Sequence, residues 1–175
     1  MVADSHFAAN TEDESETSAF SYSSILQLVG FKLEKEFFGI DIIQVQEIIR
    51  IQDITPVPRS APFIVGVLNL RGKVIPIIDL RKRFSLPKVE ITNHTRIIIT
   101  QIDVGTIGFV VDQVSEVIRI PKTSVEVSVS STSEINSEYI KGVGHIGEDG
   151  DELLIILDLN KVLTCNKEEF LEKTA

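Results

Sequence analysis

The chain has 175 residues, of which 43% are hydrophobic, so most of its length can form a folded core. Acidic side chains outnumber basic ones by 26 to 17, and the net charge of −9 disfavours nucleic acid and anionic lipid as partners. The single cysteine, Cys165, cannot form a disulfide within the chain, which is typical of a reducing compartment and predicts a cytoplasmic protein. No apolar run approaches the roughly eighteen residues of a membrane span, and the composition of the N-terminal residues does not predict a secretory signal.

Residues 1–24 differ in composition from the rest of the chain. They carry five carboxylates and no lysine or arginine, among many serines, threonines and alanines without a periodic apolar face. This composition predicts a disordered acidic tail. A charge run of this kind is usually solvated and only occasionally a docking segment. The acidic residues are Asp4, Glu12, Asp13, Glu14 and Glu16.

From Ile25 onward, short β-branched segments alternate with turn residues, which predicts a mainly β fold. Because the segments are short, numerous and not separated by long helices, they favour antiparallel barrels or a sandwich over a parallel α/β sheet. The predicted strands lie at 25–31, 37–40, 64–70, 74–78, 97–99, 107–111 and 153–157. The side chains expected in the core are Phe31, Ile40, Val67, Ile77, Ile98, Phe109 and Ile156.

The chain also contains an internal repeat. Shifting it by 69 residues aligns 39–51 with 108–120, and seven of the thirteen positions are identical. Matches of 63–67 with 139–143 and of 77–80 with 156–159 follow in the same order. The sequence therefore predicts two copies of one β-rich unit, followed by a C-terminal helix or tail. Each copy is small enough to be marginally stable alone, so we expect a shared core. The predicted boundaries are 25–88, 89–165 and 166–175.

Within each copy, one apolar series recurs at helical spacing and predicts a helical turn or two between strands. Because its members are β-branched, an extended conformation is the alternative. The series comprises Ile42, Val45, Ile48 and Ile49 in the first copy and Val111, Val114, Val117 and Ile118 in the second.

The sequence offers little support for catalysis, a metal or a cofactor. His6, His94 and His145 are widely separated and form no metal-ligand pattern. No Gly-x-Ser-x-Gly elbow is present, and Gly142-Val143-Gly144 lacks the rest of a phosphate loop. Four aspartates allow acid/base pairs, but three of them recur at the start of predicted helical turns, as Asp79 and Asp158 do, and capping explains these better. The pairs are Asp41 with Asp79 and Asp112 with Asp158. A binding module is therefore favoured over an enzyme.

A basic cluster stands out against the acidic background. Arg81, Lys82 and Arg83 are predicted to form a solvated helix face. Arg71 differs from them, because the repeat aligns it with Gly147. An arginine present in only one copy is as consistent with partner binding as with a local structural role.

The segment 66–80, which reads GVLNLRGKVIPIIDL, resembles the hallmark of the CheW family of bacterial chemotaxis coupling proteins. The flanking segments 38–48 and 108–114 are similar to the same family, and the likeness extends over about 22–163. This resemblance implies two five-stranded SH3-like β-barrels around a shared core, with a few short helices. It also implies an adaptor without catalysis or cofactor. A chain of 175 residues has no room for the further domains of CheA or CheV, which predicts a stand-alone member.

The resemblance also implies two protein partners at receptor arrays on the inner face of the membrane, without membrane insertion. One is the helical hairpin tip of a methyl-accepting chemoreceptor, and the other is the regulatory domain of the histidine kinase CheA. The kinase surface is not assigned to residues, although the second barrel is favoured. A small-ligand-binding or lyase-type β-barrel enzyme is the alternative. The predicted receptor-binding residues are Ile42, Val45, Glu47, Gly66, Asn69 and Arg71.

Two expectations refine this predicted receptor surface. Glu47 and Arg71 should form an ion pair that only the first copy can make, because Glu116 repeats the glutamate but no arginine repeats Arg71. From periodicity alone, Ile42 and Val45 are about equally consistent with core positions.

Overall fold

The computed structural model describes residues 24–127 and 135–164. The predicted acidic tail up to residue 23 and the predicted C-terminal segment 166–175 lie outside these residues.

Strands dominate the described residues, and the helices among them are short. The strands are β1 (Ile25–Leu33), β2 (Glu36–Asp41), β3 (Val45–Arg50), β4 (Ile64–Leu70), β5 (Lys73–Asp79), β6 (Arg96–Ile102), β7 (Gly105–Val111), β8 (Gln113–Pro121), β9 (Val125–Glu126), β10 (Ile140–Ile146) and β11 (Glu152–Leu157). The α-helices are α1 (Leu80–Arg83) and α2 (Leu159–Leu163), and single 3₁₀ turns occupy Ile42–Gln44, Lys122–Ser124 and Ser137–Tyr139. The predicted mainly β class is confirmed.

The strands form two sheets. One has six strands in the order β8-β1-β2-β11-β10-β9, and the other has five in the order β3-β6-β7-β5-β4. Most neighbours are antiparallel, but β11 pairs with β2, and β5 with β7, in parallel. These two parallel pairs occupy equivalent places in the repeat, so the two sheets are related copies, as the SH3-like barrel prediction requires.

Each sheet combines strands from both halves of the chain. In the six-stranded sheet, the first hairpin of copy one lies between strands of copy two, because β1 pairs with β8 and β2 pairs with β11. In the five-stranded sheet, β6 and β7 of copy two lie between strands of copy one, because β6 pairs with β3 and β7 pairs with β5. The predicted barrel boundaries, 25–88 and 89–165, therefore do not coincide with the sheets. This reciprocal exchange lets each copy complete the hydrogen bonding of the other.

The repeat is accurate at the level of whole strands. A shift of 76 residues carries β4 onto β10, and the shift grows to 79 between β5 and β11. The difference arises in the hairpin connections, because a two-residue turn joins β4 to β5, whereas residues 147–151 join β10 to β11.

The buried side chains form three clusters. The largest contains residues from both halves, including Phe31 and Phe38 of the first and Ile98 and Phe109 of the second, which confirms the predicted shared core. The other two are small and equivalent in the repeat. One contains Leu68, Ile75, Ile77, Ile97 and Ile99 of the five-stranded sheet, and the other contains Leu28, Ile120, Leu154 and Ile156 of the six-stranded sheet.

Six of the seven predicted core side chains are buried, and Val67 is the exception. Along β4, Ile64, Gly66 and Leu68 point inward, so strand alternation turns Val67 away from the core. Val67 is half-buried and forms an isolated antiparallel bridge with Thr55.

The predicted helical turns are mostly strands. Only Ile42–Gln44 is helical in the first copy, and β8 is extended throughout in the second. In both copies a register shift of the β-bulge type interrupts the strand pairing. In β3 the shift lies between Val45 and Glu47, and in β8 it lies between Val114 and Val117. A bulge breaks the two-residue alternation and produces spacings of three that resemble a helix.

Three of the four aspartates cap helical turns, which confirms the capping interpretation. Asp41 accepts a hydrogen bond from the backbone N–H of Ile43 at 3.0 Å, Asp79 from that of Arg81 at 2.9 Å, and Asp158 from that of Lys161 at 3.2 Å. The fourth, Asp112, binds the side chain of Arg81 instead.

Among the described residues, no helix is long and apolar enough to cross a membrane. The same residues contain no group of three or more histidine, cysteine, aspartate or glutamate side chains placed to hold a metal ion.

Candidate protein-binding surface

An ion pair joins the two edges of the five-stranded sheet. Nη1 of Arg71 lies 2.7 Å from Oε1 of Glu47, and Nη2 lies 2.9 Å from Oε2. Glu47 belongs to β3 and Arg71 to the turn after β4, the strands at opposite ends of the sheet order. The predicted ion pair is therefore present, and its two-pronged geometry fixes the orientation of both side chains.

The turn holds Arg71 in an uncommon backbone conformation. Arg71 has φ 51° and Gly72 has φ 82°, and Leu70 pairs with Lys73 across them. Positive φ at both central residues is the pattern of a type I′ hairpin turn. The side-chain oxygen of Asn69 accepts a hydrogen bond from the N–H of Gly72 at 3.1 Å. Asn69 therefore stabilises the turn that presents Arg71.

Both charges of the pair are accessible. The side chain of Arg71 is 74% exposed and that of Glu47 is 29% exposed. The hydrogen bonds from Arg71 lower the pKa of Glu47, and those to Glu47 raise the pKa of Arg71. The pair is therefore fully ionised at neutral pH and forms a fixed polar feature on the surface.

Aliphatic side chains accompany the pair on β3 and the preceding turn. Ile42 and Val45 are half-buried and pack against the rim of the central cluster. Ile43 is 87% exposed and Ile48 is 40% exposed, so this segment presents apolar surface as well as core contacts. Ile48 of the apolar series therefore does not face the core. Along β3, Val45, Glu47 and Ile49 are half-buried, so the residues that alternate with them, Gln46, Ile48 and Arg50, point outward.

Gly66 lies apart from this surface and has a packing role. It is buried in β4 with φ 153°, and a Cβ atom there would lie 2.1 Å from the carbonyl oxygen of Thr55. Its absent side chain allows the Thr55–Val67 backbone hydrogen bonds of 2.8 and 2.9 Å. The repeat-equivalent Gly142 likewise admits Val125 of β9, whose Cγ1 would lie 2.5 Å from an added Cβ.

The second copy lacks the polar part of this surface. Glu116 of β8 is exposed, and the position equivalent to Arg71 is Gly147, with φ 93°. Among the described residues, Glu116 forms no ion pair. The surface with Glu47 and Arg71 therefore belongs to one sheet only.

The expectation that Arg81 is solvated is wrong. Its guanidinium binds both carboxylate oxygens of Asp112 at 2.7 and 2.5 Å and also reaches Glu34 at 2.8 Å. The hydrogen bonds with Asp112 hold the pKa of Arg81 above its ordinary value. Only 8% of Arg81 is exposed, because partners from the β1–β2 turn and the end of β7 surround it.

Arg83 is also packed instead of solvated. Its guanidinium lies 4.7 Å from the ring centre of Phe63 and 4.8 Å from that of Tyr139. These two rings are equivalent in the repeat, and the Nε–H of Arg83 donates to the carbonyl of Val162 at 2.6 Å. Arg83 therefore joins the two halves through cation–π contacts. The matching aromatic positions were visible in the sequence, but the cation between them was not.

Residues 27–166 match the family model of the CheW-like domain. The chain belongs to this family. It is 34% identical to the chemotaxis protein CheW of Treponema pallidum, over 81% of this chain and 84% of that protein. It is 36% identical to the chemotaxis protein CheW of Bacillus subtilis, over 78% of this chain and 86% of that protein.

A solved structure supports the same assignment. The scaffolding protein TtCheW from Thermoanaerobacter tengcongensis matches with a TM-score of 0.75 and 36% identity, over 83% of this chain and 92% of that chain. The recognition as a CheW family member is therefore confirmed. Membership in a family of chemotaxis scaffold proteins also confirms the expectation of a non-catalytic adaptor and removes the support for a lyase-type enzyme.

Proposed function

We propose that this CheW family member couples methyl-accepting chemoreceptors to the histidine kinase CheA, in the cytoplasm at receptor arrays on the inner face of the membrane. The observation that carries the proposal is the ion pair of Glu47 and Arg71, which one sheet has and its repeat-related partner lacks. A purely structural bond would be expected in both copies. The names of the relatives, which place them in chemotaxis, support the same role.

The receptor surface consists of apolar and charged parts. Ile42 and Val45 offer half-buried aliphatic contacts to the helical hairpin tip of the receptor, and the ion pair orients polar groups on it. Asn69 and Gly66 act indirectly, through the turn and the backbone packing that hold Arg71 in position.

The kinase requires a separate surface, because an adaptor must hold both partners at once. We assign the regulatory domain of CheA to the barrel built on the six-stranded sheet. That sheet has the same scaffold without the ion pair, so its surface is free to differ in specificity.

Separate binding measurements with the two partners test this assignment. A receptor cytoplasmic fragment is co-sedimented with the wild-type chain and with Arg71→Gly, which installs the residue of the equivalent position. We expect receptor binding to fall by about tenfold or more, as for a central interface residue. Binding to the CheA regulatory domain should not change. Arg119→Gly, an exposed arginine of β8, serves as the matched control and should retain receptor binding.

Two further variants locate the contact. Val45→Asp should weaken receptor binding while the far-UV spectrum and the melting temperature stay near those of the wild type. Loss of folding instead of binding would return Val45 to the core. Arg71→Lys should not restore binding, because lysine lacks the planar fork that matches a carboxylate. Equal receptor binding by Arg71→Gly and wild type would overturn the proposed surface.

A double-mutant cycle asks whether the pair acts as a unit. The receptor affinities of Glu47→Ala, Arg71→Ala and the double variant are compared with wild type. Losses that do not add indicate a coupled pair, whereas additive losses indicate independent contacts with the receptor.

A further inference from the structure

Two arginines face each other at one end of the five-stranded sheet. Arg50, the last residue of β3, is the direct cross-strand partner of Arg96, the first residue of β6. Like charges directly opposite each other on neighbouring strands are destabilising. The chain nevertheless keeps this pair at a surface position, although its net charge is strongly negative.

The two side chains border a groove of about 590 Å³. Its walls also include Ile51, Ile91, Thr92 and Thr95. Ile91 is 67% exposed, so the groove combines cationic and apolar surface. Glu90 is adjacent in sequence but does not line the groove, so no carboxylate of the lining neutralises the arginines.

Much of the hydrogen-bonding capacity of these arginines is free. Nη1 of Arg96 donates to the carbonyls of Asn93 and Thr95 at 2.7 and 2.8 Å. Within residues 24–127 and 135–164, Nε and Nη2 of Arg96 have no partner, and the side chain of Arg50 forms no hydrogen bond or ion pair. Guanidinium N–H groups without partners can bind a carboxylate, which accepts two hydrogen bonds at once.

The repeat shows that the scaffold does not require the pair. At the equivalent place in the six-stranded sheet, Arg119 lies opposite Gln27. That sheet therefore satisfies the same strand pairing with a single cation. The second cation is an addition of the five-stranded sheet.

We infer that this groove binds the acidic N-terminal segment of the same chain, residues 4–16. The segment has five carboxylates and no lysine or arginine, so its charge complements the two arginines. Glu16 and Glu12 precede Ser24 by 8 and 12 residues, which span about 26 and 40 Å when extended, and a domain of this size is about 40 Å across. Tethering gives the segment a millimolar effective concentration at the groove, well above that of a free acidic peptide.

Paramagnetic labelling of the full-length chain tests the inference. A nitroxide is attached at Ser15→Cys in a Cys165→Ser background, and the amide signals of Ile91, Thr92 and Thr95 are recorded with the label active and reduced. We expect selective broadening of these signals. The broadening should disappear in Arg50→Gln/Arg96→Gln and at high ionic strength, because charge pairing on an exposed surface is screened by salt.

Two controls keep the outcome decisive. Replacing four of the segment's five carboxylates (Glu12→Gln, Asp13→Asn, Glu14→Gln and Glu16→Gln) should also remove the broadening and leaves the groove intact. Arg119→Gln, at the repeat counterpart of Arg50, should leave it unchanged. Absence of broadening in the labelled wild type would overturn the inference. So would broadening that survives in the double arginine variant, or that is equally strong around Gln27.

Discussion

The two sheets have the same strand connections but differ at one corner. In the five-stranded sheet, a two-residue turn presents Arg71 to Glu47 of the opposite edge strand. In the six-stranded sheet, a longer connection begins with Gly147, and Glu116 remains exposed. Their interiors, by contrast, correspond cluster for cluster. Both copies therefore have equivalent core packing, whereas only the five-stranded sheet carries the ion pair on its surface.

The largest expected effect is the loss of stability when a buried side chain is truncated at equivalent positions of the two sheets. Ile77 and Ile156 are repeat counterparts at 0% and 3% exposure, and replacing either with alanine should cost about 2–5 kcal/mol. Because the central cluster joins both halves, each variant should unfold in one cooperative transition. Thermal melts followed by circular dichroism, with hydrogen exchange read in both sheets, measure this. Separate unfolding of the two sheets would contradict the shared core.

Gly66 of β4 and Gly142 of β10 are repeat counterparts, but an added methyl group should destabilise the fold more at one than at the other. Gly66→Ala should destabilise the fold by more than about 2 kcal/mol, because the added Cβ meets the backbone of Thr55 and φ is unfavourable. Gly142→Ala should cost less, since the nearest atom belongs to the side chain of Val125, which can move. Chemical denaturation measures both free energies of unfolding. Equal costs would show that the close approach of Thr55 is not rigid.

The arginine network between the halves should have a smaller but clear effect. Arg81→Met removes the partner of a partly buried carboxylate, Asp112, and should cost about 2 kcal/mol. Lys82→Met, at the exposed neighbouring position, is the control and should change the free energy of unfolding little. A loss at Lys82 as large as that at Arg81 would indicate that helix α1, and not the network, is being perturbed.

The smallest effect concerns the pH dependence of Glu47. Its pKa is lowered in the folded state, so the stabilisation is present above the ordinary value of 4.5 and is lost as the pH falls through the lowered value. Wild type should therefore melt slightly above Glu47→Gln at neutral pH, and the difference should vanish well below pH 4.5. Glu116→Gln should show no such difference. A gap that persists in strong acid would exclude the ion pair as its source.

Much of the fold follows from local patterns in the sequence. Strand positions and their equivalences are predictable because buried side chains alternate in the same order in both copies. The exchange of hairpins is not predictable in this way. It depends on pairings such as Gly39 with Ile156, which leave no local trace. The helical spacing around Val45 and Val114 was misleading because a bulge in each strand imitates it.

Some residues of the candidate surface and its surroundings could be predicted from the sequence, and others could not. Arg71 and Glu47 were predictable because the repeat makes a missing counterpart visible. The burial of Arg81 and Arg83 was not, since their partners come from distant strands and only the fold brings them together. A run of basic residues has the same appearance in sequence whether it is solvated or packed.

Because the two halves of the chain exchange hairpins, the two sheets can be completed only in a fixed order as the chain leaves the ribosome. The five-stranded sheet has all its strands once Val111 has emerged, but the six-stranded sheet must wait for β11, which ends at Leu157. At about 5–20 residues per second, the edge of β2 stays without its parallel partner for several seconds. During this interval a nascent chain exposes a strand edge that can pair with other chains. Residues near the C-terminus thus determine how long the first hairpin is vulnerable to aggregation.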